Sequence, residues 1–187
     1  MELNSVREIM YYSKIIDVLA SNPNSTHFYG RFPYQARAVI DKIGELSSTN
    51  KQEVKMLLDA WTINFLRWGT QGDSFKEQVN RIGRNTNIEL IINGALSSEE
   101  HAKIAEFYAH QNVMLGPMRY DQTLHPLILS GNNYAAFVPD DKHTRKFRKH
   151  GERPFRFGLN TQESIEDVRK YWEREIISRF KSVQKIG

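Results

Sequence analysis

The chain has 187 residues, of which 40% are apolar and 26% charged, with a net charge of +4. That balance excludes a disordered chain, and no apolar run is long enough to span a bilayer, so no membrane is expected as a partner. The absence of cysteine excludes disulfides and thiolate metal sites and suits a reducing, cytoplasmic setting. The opening MELNSVREIM lacks the basic-then-apolar layout of a signal peptide. The length fits one domain, or one domain with an extension.

Ser5 and Glu8 form a capping-box start. Ile9, Tyr12, Ile15, Ile16 and Leu19 then share a helical face as far as Ser21. Asn22-Pro23-Asn24-Ser25 breaks that helix. HFYGRF, from His27 to Phe32, is read as a short strand or an ordered loop. Its aromatics with Tyr34 fit core docking better than base stacking. Pro33 suits a helix start, with Ala36, Val39, Ile40 and Ile43 inward and an end near Gly44. Val54, Leu57, Leu58 and Trp61 are spaced as one more helical face. A strand is expected from Thr62. Ser74 with Glu77 and Ser97 with Glu100 open two helices, separated by the strand Ile88–Ile92. Val113–Leu115 is a short strand. Leu124–Leu129 and Tyr134–Val138 form a hairpin around Ser130-Gly131-Asn132-Asn133, where Gly and Asn tolerate positive φ. Pro154–Leu159 alternates as a strand, and Asn160 with Glu163 opens a last helix carrying Ile165, Val168, Trp172 and Ile176.

Alternation of this kind indicates an α/β fold, a mixed sheet flanked by helices. The expected division is a helical N-terminal region, 1–61, packed on an α/β domain, 62–187.

His125 stands at the head of the hairpin's first strand. The window His125-Pro126-Leu127-Ile128-Leu129-Ser130-Gly131-Asn132, with the preceding order of elements and the closing FGLNTQESIEDVRKYWERE, resembles one half of a phospholipase D-like domain over roughly 62–180. The family's motif is His-x-Lys-x4-Asp. The resemblance implies that His125 would be the nucleophile on phosphorus. It also implies that a lysine would clamp phosphoryl oxygens and that an aspartate would orient an imidazole. Here Leu127 and Asn132 stand in the lysine and aspartate places. Arg145, Lys146 or Arg148 would have to supply the missing cation. Family members with one motif per chain pair two subunits, so catalysis would require a homodimer joining two His125 side chains. A half-buried structural histidine is the competing reading.

Between the last two strands lies a basic cluster: Lys142, His143, Arg145, Lys146, Phe147, Arg148, Lys149, Arg153 and Arg156. Arg and Lys would contact phosphates, and Phe147 would stack on an unpaired base. A solvated loop, with Asp140 and Asp141 pairing locally, is the plainer alternative. Arg145 and His150 also have the Arg-x4-His spacing of HEPN-type ribonucleases, but in a loop rather than on that family's helix. Trp68 to Ser74 carries two glycines ahead of a helix start without a P-loop lysine, and reads as a turn. No metal site or cofactor is expected. The resulting expectation is a nucleic-acid or polyanion binder with a degenerate, non-catalytic phospholipase D-like domain. The alternatives are a His125 phosphodiesterase and a protein-interaction module or inhibitor acting through the basic loop.

Overall fold

The structure, a computed structural model, describes residues 3–21, 28–31, 34–59, 86–94, 112–115, 123–137, 154–161 and 165–180. Among the described residues, seven strands form one mixed sheet. They are β1 (Phe28–Arg31), β2 (Val54–Asp59), β3 (Ile88–Asn93), β4 (Asn112–Leu115), β5 (Leu127–Ser130), β6 (Asn133–Phe137) and β7 (Pro154–Gly158). Their spatial order is β1-β7-β6-β5-β2-β3-β4. β2, β3 and β4 are parallel. β5 pairs antiparallel with β2, and β6, β7 and β1 continue antiparallel outward. The α/β fold with a mixed sheet is as expected.

Alternation along the strands divides the core between the two faces. Met56, Leu58, Leu90, Ile92 and Ile128 pack with Val39, Ile40 and Ile43 of α2 (Tyr34–Asn50) and with Ile16 and Ala20 of α1 (Leu3–Ala20). Leu57, Ile91, Leu127 and Leu129 pack on the other side with Ile165, Trp172 and Ile176. Those three lie on α3 (Ile165–Tyr171) and on the π-helical turn Trp172–Ile177 that continues it, followed by α4 (Ser178–Phe180). Among the described residues, Trp172 is the bulkiest of the fully buried side chains.

Four expectations are corrected. The stretch holding Val54, Leu57 and Leu58 is a strand and not a helical face. All of β2 except Lys55 is buried; a strand covered on both faces has no polar alternation, and its apolar run mimics helical spacing. The first sixty-one residues are therefore not helical throughout, since β1 and β2 belong to the same sheet as the later strands. Helix α2 does not stop at Gly44 but runs to Asn50, where Lys51 takes a positive φ of 53°. On α1, Ile15 is exposed rather than inward. The strand expected at Thr62 and the helices opened at Ser74 and Ser97 lie outside the described residues.

Candidate functional site at one edge of the sheet

The strand directions gather specific residues at each end of the sheet. β2, β3 and β4 all end at one edge, with Asp59, Asn93 and Leu115. β5 begins there with Leu127, which pairs with Leu57. β6 ends there and β7 begins there, with Phe137 opposite Phe155. β1 ends there too, with Arg31 opposite Pro154. In parallel α/β sheets the carboxyl edge is the usual place for ligands, at the point where strand order reverses. Here the order reverses between β2 and β5.

Two buried polar side chains mark that point. Asp59 is 3% exposed and Asn93 is 1% exposed. They are neighbours in register on β2 and β3. Their strands match position by position: Val-Lys-Met-Leu-Leu-Asp beside Ile-Glu-Leu-Ile-Ile-Asn. By alternation both project to the face of Leu57 and Ile91, the one covered by Trp172. A buried carboxylate is costly unless hydrogen-bonded or paired, so its presence at a strand end calls for partners; both Asp59 and Asn93 have such interactions.

His125 lies at the same edge and is half-buried, but it stands two residues ahead of β5 rather than within it, because the strand starts only after Pro126. The His125 backbone N–H donates to the Tyr171 hydroxyl at 3.3 Å. That bond ties the head of β5 to α3. Leu127, in the family's lysine place, is 2% exposed and belongs to the core beneath Trp172. Asn132 lies at the far end of β5, in the hairpin turn. Arg169 clamps that turn, donating to the Gly131 carbonyl at 2.8 Å and to Asn132 Oδ1 at 3.2 Å.

The far edge holds a knot of polar side chains. Ser47 Oγ is 2.7 Å from Ser130 Oγ, which donates to the Glu53 carbonyl at 2.7 Å. Asn133 bridges the hairpin to Asn160, and the Asn160 side-chain amide donates to the Ala20 carbonyl. A cleft of about 250 Å³ opens beside this knot, lined among others by Lys55, Gly131, Arg169, Trp172 and Glu173. Lys55 sits 5.8 Å over the Trp172 ring and 3.3 Å from Glu173, with Glu89 at 3.9 Å. Burial pushes the Glu89 carboxyl above its ordinary value; Lys55 opposes that, while Glu53 and Glu173 add to it.

Of the basic cluster, Arg156 alone is among the described residues. It is not a loop residue. It stands half-buried in β7, with its guanidinium 6.0 Å from the Tyr134 ring centre. Lys142, His143, Arg145, Lys146, Phe147, Arg148, Lys149 and Arg153 lie outside the described residues, as do His150 and Asp140-Asp141. Their attachment points are described. Residues 138–153 join β6 to β7, and both roots, Phe137 and Phe155, sit at the His125 edge. β6 is the direct neighbour of β5, so the roots stand one or two strand spacings, about 5 to 10 Å, from the β5 line.

Asp59 escapes sequence reasoning because Val54, Leu57, Leu58 and Trp61 are spaced as a helical face, and Asn93 because it follows the strand expected at Ile88–Ile92. The signal was present in the repeated apolar-charged-apolar pattern ending in an acid or its amide. Among the described residues no cluster of three or more His, Asp or Glu could hold a metal ion, and no helix is long and apolar enough to cross a membrane.

No protein-family model and no curated protein matches the chain. Two of the solved structures similar to it are as follows. One is the archaeal chromatin protein TrmBL2, which shows a novel mode of DNA binding. It shares 11% identity at a TM-score of 0.51 over 99% of this chain. The chain spans 64% of the length of TrmBL2. The other is NucT from Helicobacter pylori, with 11% identity and a TM-score of 0.48 over 86% of this chain and 99% of that one. The TrmBL2 likeness shows a shared fold.

Proposed function

We propose that the chain binds nucleic acid or a similar polyanion at the sheet edge where the basic segment is rooted, without the phosphodiester chemistry of phospholipase D-like enzymes. The observation that carries this reading is the concentration of charge at one place in the topology. The fifteen residues from Lys142 to Arg156 hold seven of the 26 Lys and Arg but one of the 22 Asp and Glu. Six of those seven lie in the β6–β7 connection, residues 138–153, which also holds Asp140, Asp141 and Glu152, so the connection carries three of the four net positive charges; the seventh, Arg156, stands in β7. Arg31 ends β1 at the same edge. Such a segment attracts phosphates by releasing their counterions. The DNA binding of TrmBL2, which shares the fold, supports the same reading. The absence of family chemistry is supported by Leu127, whose buried place has no room for an ionised lysine.

The test is binding to single- and double-stranded oligonucleotides across a salt series. We expect affinity to fall steeply with salt. Changing Arg145, Lys146, Arg148 and Lys149 together to Ala should remove most of it and flatten the salt slope by up to about four. Retained affinity in that variant overturns the reading.

A further inference from the structure

We propose that Arg156 and Tyr29, paired across β7 and β1, bind one unpaired nucleotide of the polyanion, the guanidinium taking its phosphate and the tyrosine ring its base, so that the partner is a single-stranded nucleic acid. The β1–β7 register sets Tyr29 opposite Arg156 and Phe28 opposite Phe157. Phe157 is buried in the core beneath α1 and α2. Alternation therefore gives Phe28 a position on that covered face, and Tyr29 and Arg156 positions on the other. Residues opposite each other in an antiparallel pair have Cβ atoms about 5 Å apart, close enough for one nucleotide to span both. Arg31, two residues along β1, holds a position on the same face at the edge where residues 138–153 are rooted.

β7 lies between β6 and β1, and in the row that holds Arg156 the next strands contribute Ala136 and Leu127. A half-buried guanidinium on so apolar a row needs support for its stem and its plane. Tyr134 supplies it. The Tyr134 ring lies over Gly158, the next β7 residue on the same face: a Cβ at Gly158 would stand 2.6 Å from Tyr134 Cε1. The missing side chain lets the ring cover the β7 backbone, and the Arg156 guanidinium sits 6.0 Å from the ring centre. Tyr134 is 1% exposed, so the ring is a fixed backing. An arginine held by an aromatic loses little freedom on meeting a phosphate, and its planar fork suits phosphoryl oxygens. A tyrosine ring stacks on any base, provided that the base is out of a duplex. Arg156 lies two residues in from the root of the basic segment, so one nucleic-acid chain can touch both. The nucleotide role rests on the polyanion reading above; the support of Arg156 by Tyr134 and Gly158 does not.

The experiment uses the full chain and two fluorescent probes, a short oligothymidylate and a blunt duplex of the same length, with affinity read by anisotropy across a salt series. The unaltered protein should bind the single strand more tightly than the duplex. Tyr29→Leu should weaken single-strand binding about tenfold, the worth of one stacked base, and leave duplex binding unchanged. Tyr29→Phe, which keeps the ring, should bind as the unaltered chain does. Arg156→Gln should weaken single-strand binding about tenfold and reduce the salt slope by about 0.7, as the loss of one phosphate contact requires. Each variant should keep a cooperative urea transition. Where Arg156→Gln does not fold, Arg156→Lys decides: it keeps the charge but not the fork, and should lose affinity with the salt slope unchanged. Tighter binding of the duplex, or an equal loss on both probes in Tyr29→Leu, overturns the single-strand assignment. Unchanged affinity in Arg156→Gln and Tyr29→Leu, with affinity lost in the basic-segment variant, overturns the nucleotide site and leaves the polyanion reading standing. Full affinity in the basic-segment variant overturns the reading of that segment, and a loss in Arg156→Gln then still puts binding on the β1–β7 pair. No binding of either probe by the unaltered protein overturns both.

Discussion

His125 and Asn132 stand at opposite ends of β5, His125 beside the carboxyl ends of the parallel strands and Asn132 in the hairpin turn under Arg169. Seven residues of extended chain separate them by about 20 Å. Whatever side chain occupies position 132, it does not orient the imidazole of the same chain.

The first prediction follows from that separation. Leu127→Lys and Asn132→Asp together rebuild the family's motif in sequence, yet the double variant should not hydrolyse a generic phosphodiester. Leu127→Lys alone should cost about 3 kcal/mol or more in urea unfolding, because it buries a charge in the cluster around Trp172. Asn132→Asp should change stability by at most about 0.5 kcal/mol, since its carboxylate meets Arg169 at an exposed site. Hydrolysis by the double variant would show that the motif was merely lapsed and that the core at Leu127 tolerates a cation.

The second prediction concerns the turn itself. Gly131 has φ +53°, and a Cβ there would lie 2.1 Å from Gln52 Oε1. Gly131→Ala should destabilise by about 1 to 2 kcal/mol, from the left-handed backbone and the collision together. Gln52→Ala in the same chain should recover the collision part and leave the backbone part. A double-mutant cycle from urea unfolding measures the difference; strict additivity would remove the collision from the account.

What could be read in advance tracks how each signal arises. The hairpin, β3, β4 and β7 were legible because turn residues bracket short apolar runs. The basic segment was legible because a charge cluster needs no burial pattern to be seen. β2 was not, since Val54, Met56, Leu57 and Leu58 are buried on both faces and their run carries no period of two. That one misreading hid Asp59, because a carboxylate on a helical face has no reason to share a sheet edge with Asn93. That His125 lies at the same edge follows only once β5 is known to lie beside β2 rather than beside β4.

The third prediction tests the far edge as a structural knot. Ser130 Oγ bridges Ser47 on α2 and the Glu53 carbonyl ahead of β2. Ser130→Ala should cost about 1 to 3 kcal/mol, because it strips a partner from buried polar atoms. Ser47→Ala should lose less once Ser130 is already Ala, with a coupling of about 0.5 kcal/mol or more. Oligonucleotide affinity should not change in either variant. A loss of affinity without loss of stability would move the binding site to this edge.

The last prediction is a pH dependence. Burial raises the folded-state value of Glu89 above its ordinary one, against the pull of Lys55 at 3.9 Å. A carboxyl whose folded value is raised binds its proton more tightly in the native state. Its contribution to stability is fully present below the unfolded value and is lost as pH rises through the folded value. Glu89→Gln removes that titration while keeping the shape. Lys55 retains Glu173 at 3.3 Å and the Trp172 ring, so the lysine is not stranded. The stability of Glu89→Gln relative to the unaltered chain should therefore improve as pH rises, with the change starting at the ordinary carboxyl value and complete once pH passes the raised folded one. Urea unfolding at a series of pH values gives the curve. A difference that moves the other way would mean that the Lys55 charge outweighs the burial of Glu89, and that the Lys55–Glu89 pair stabilises the sheet rather than being tolerated within it.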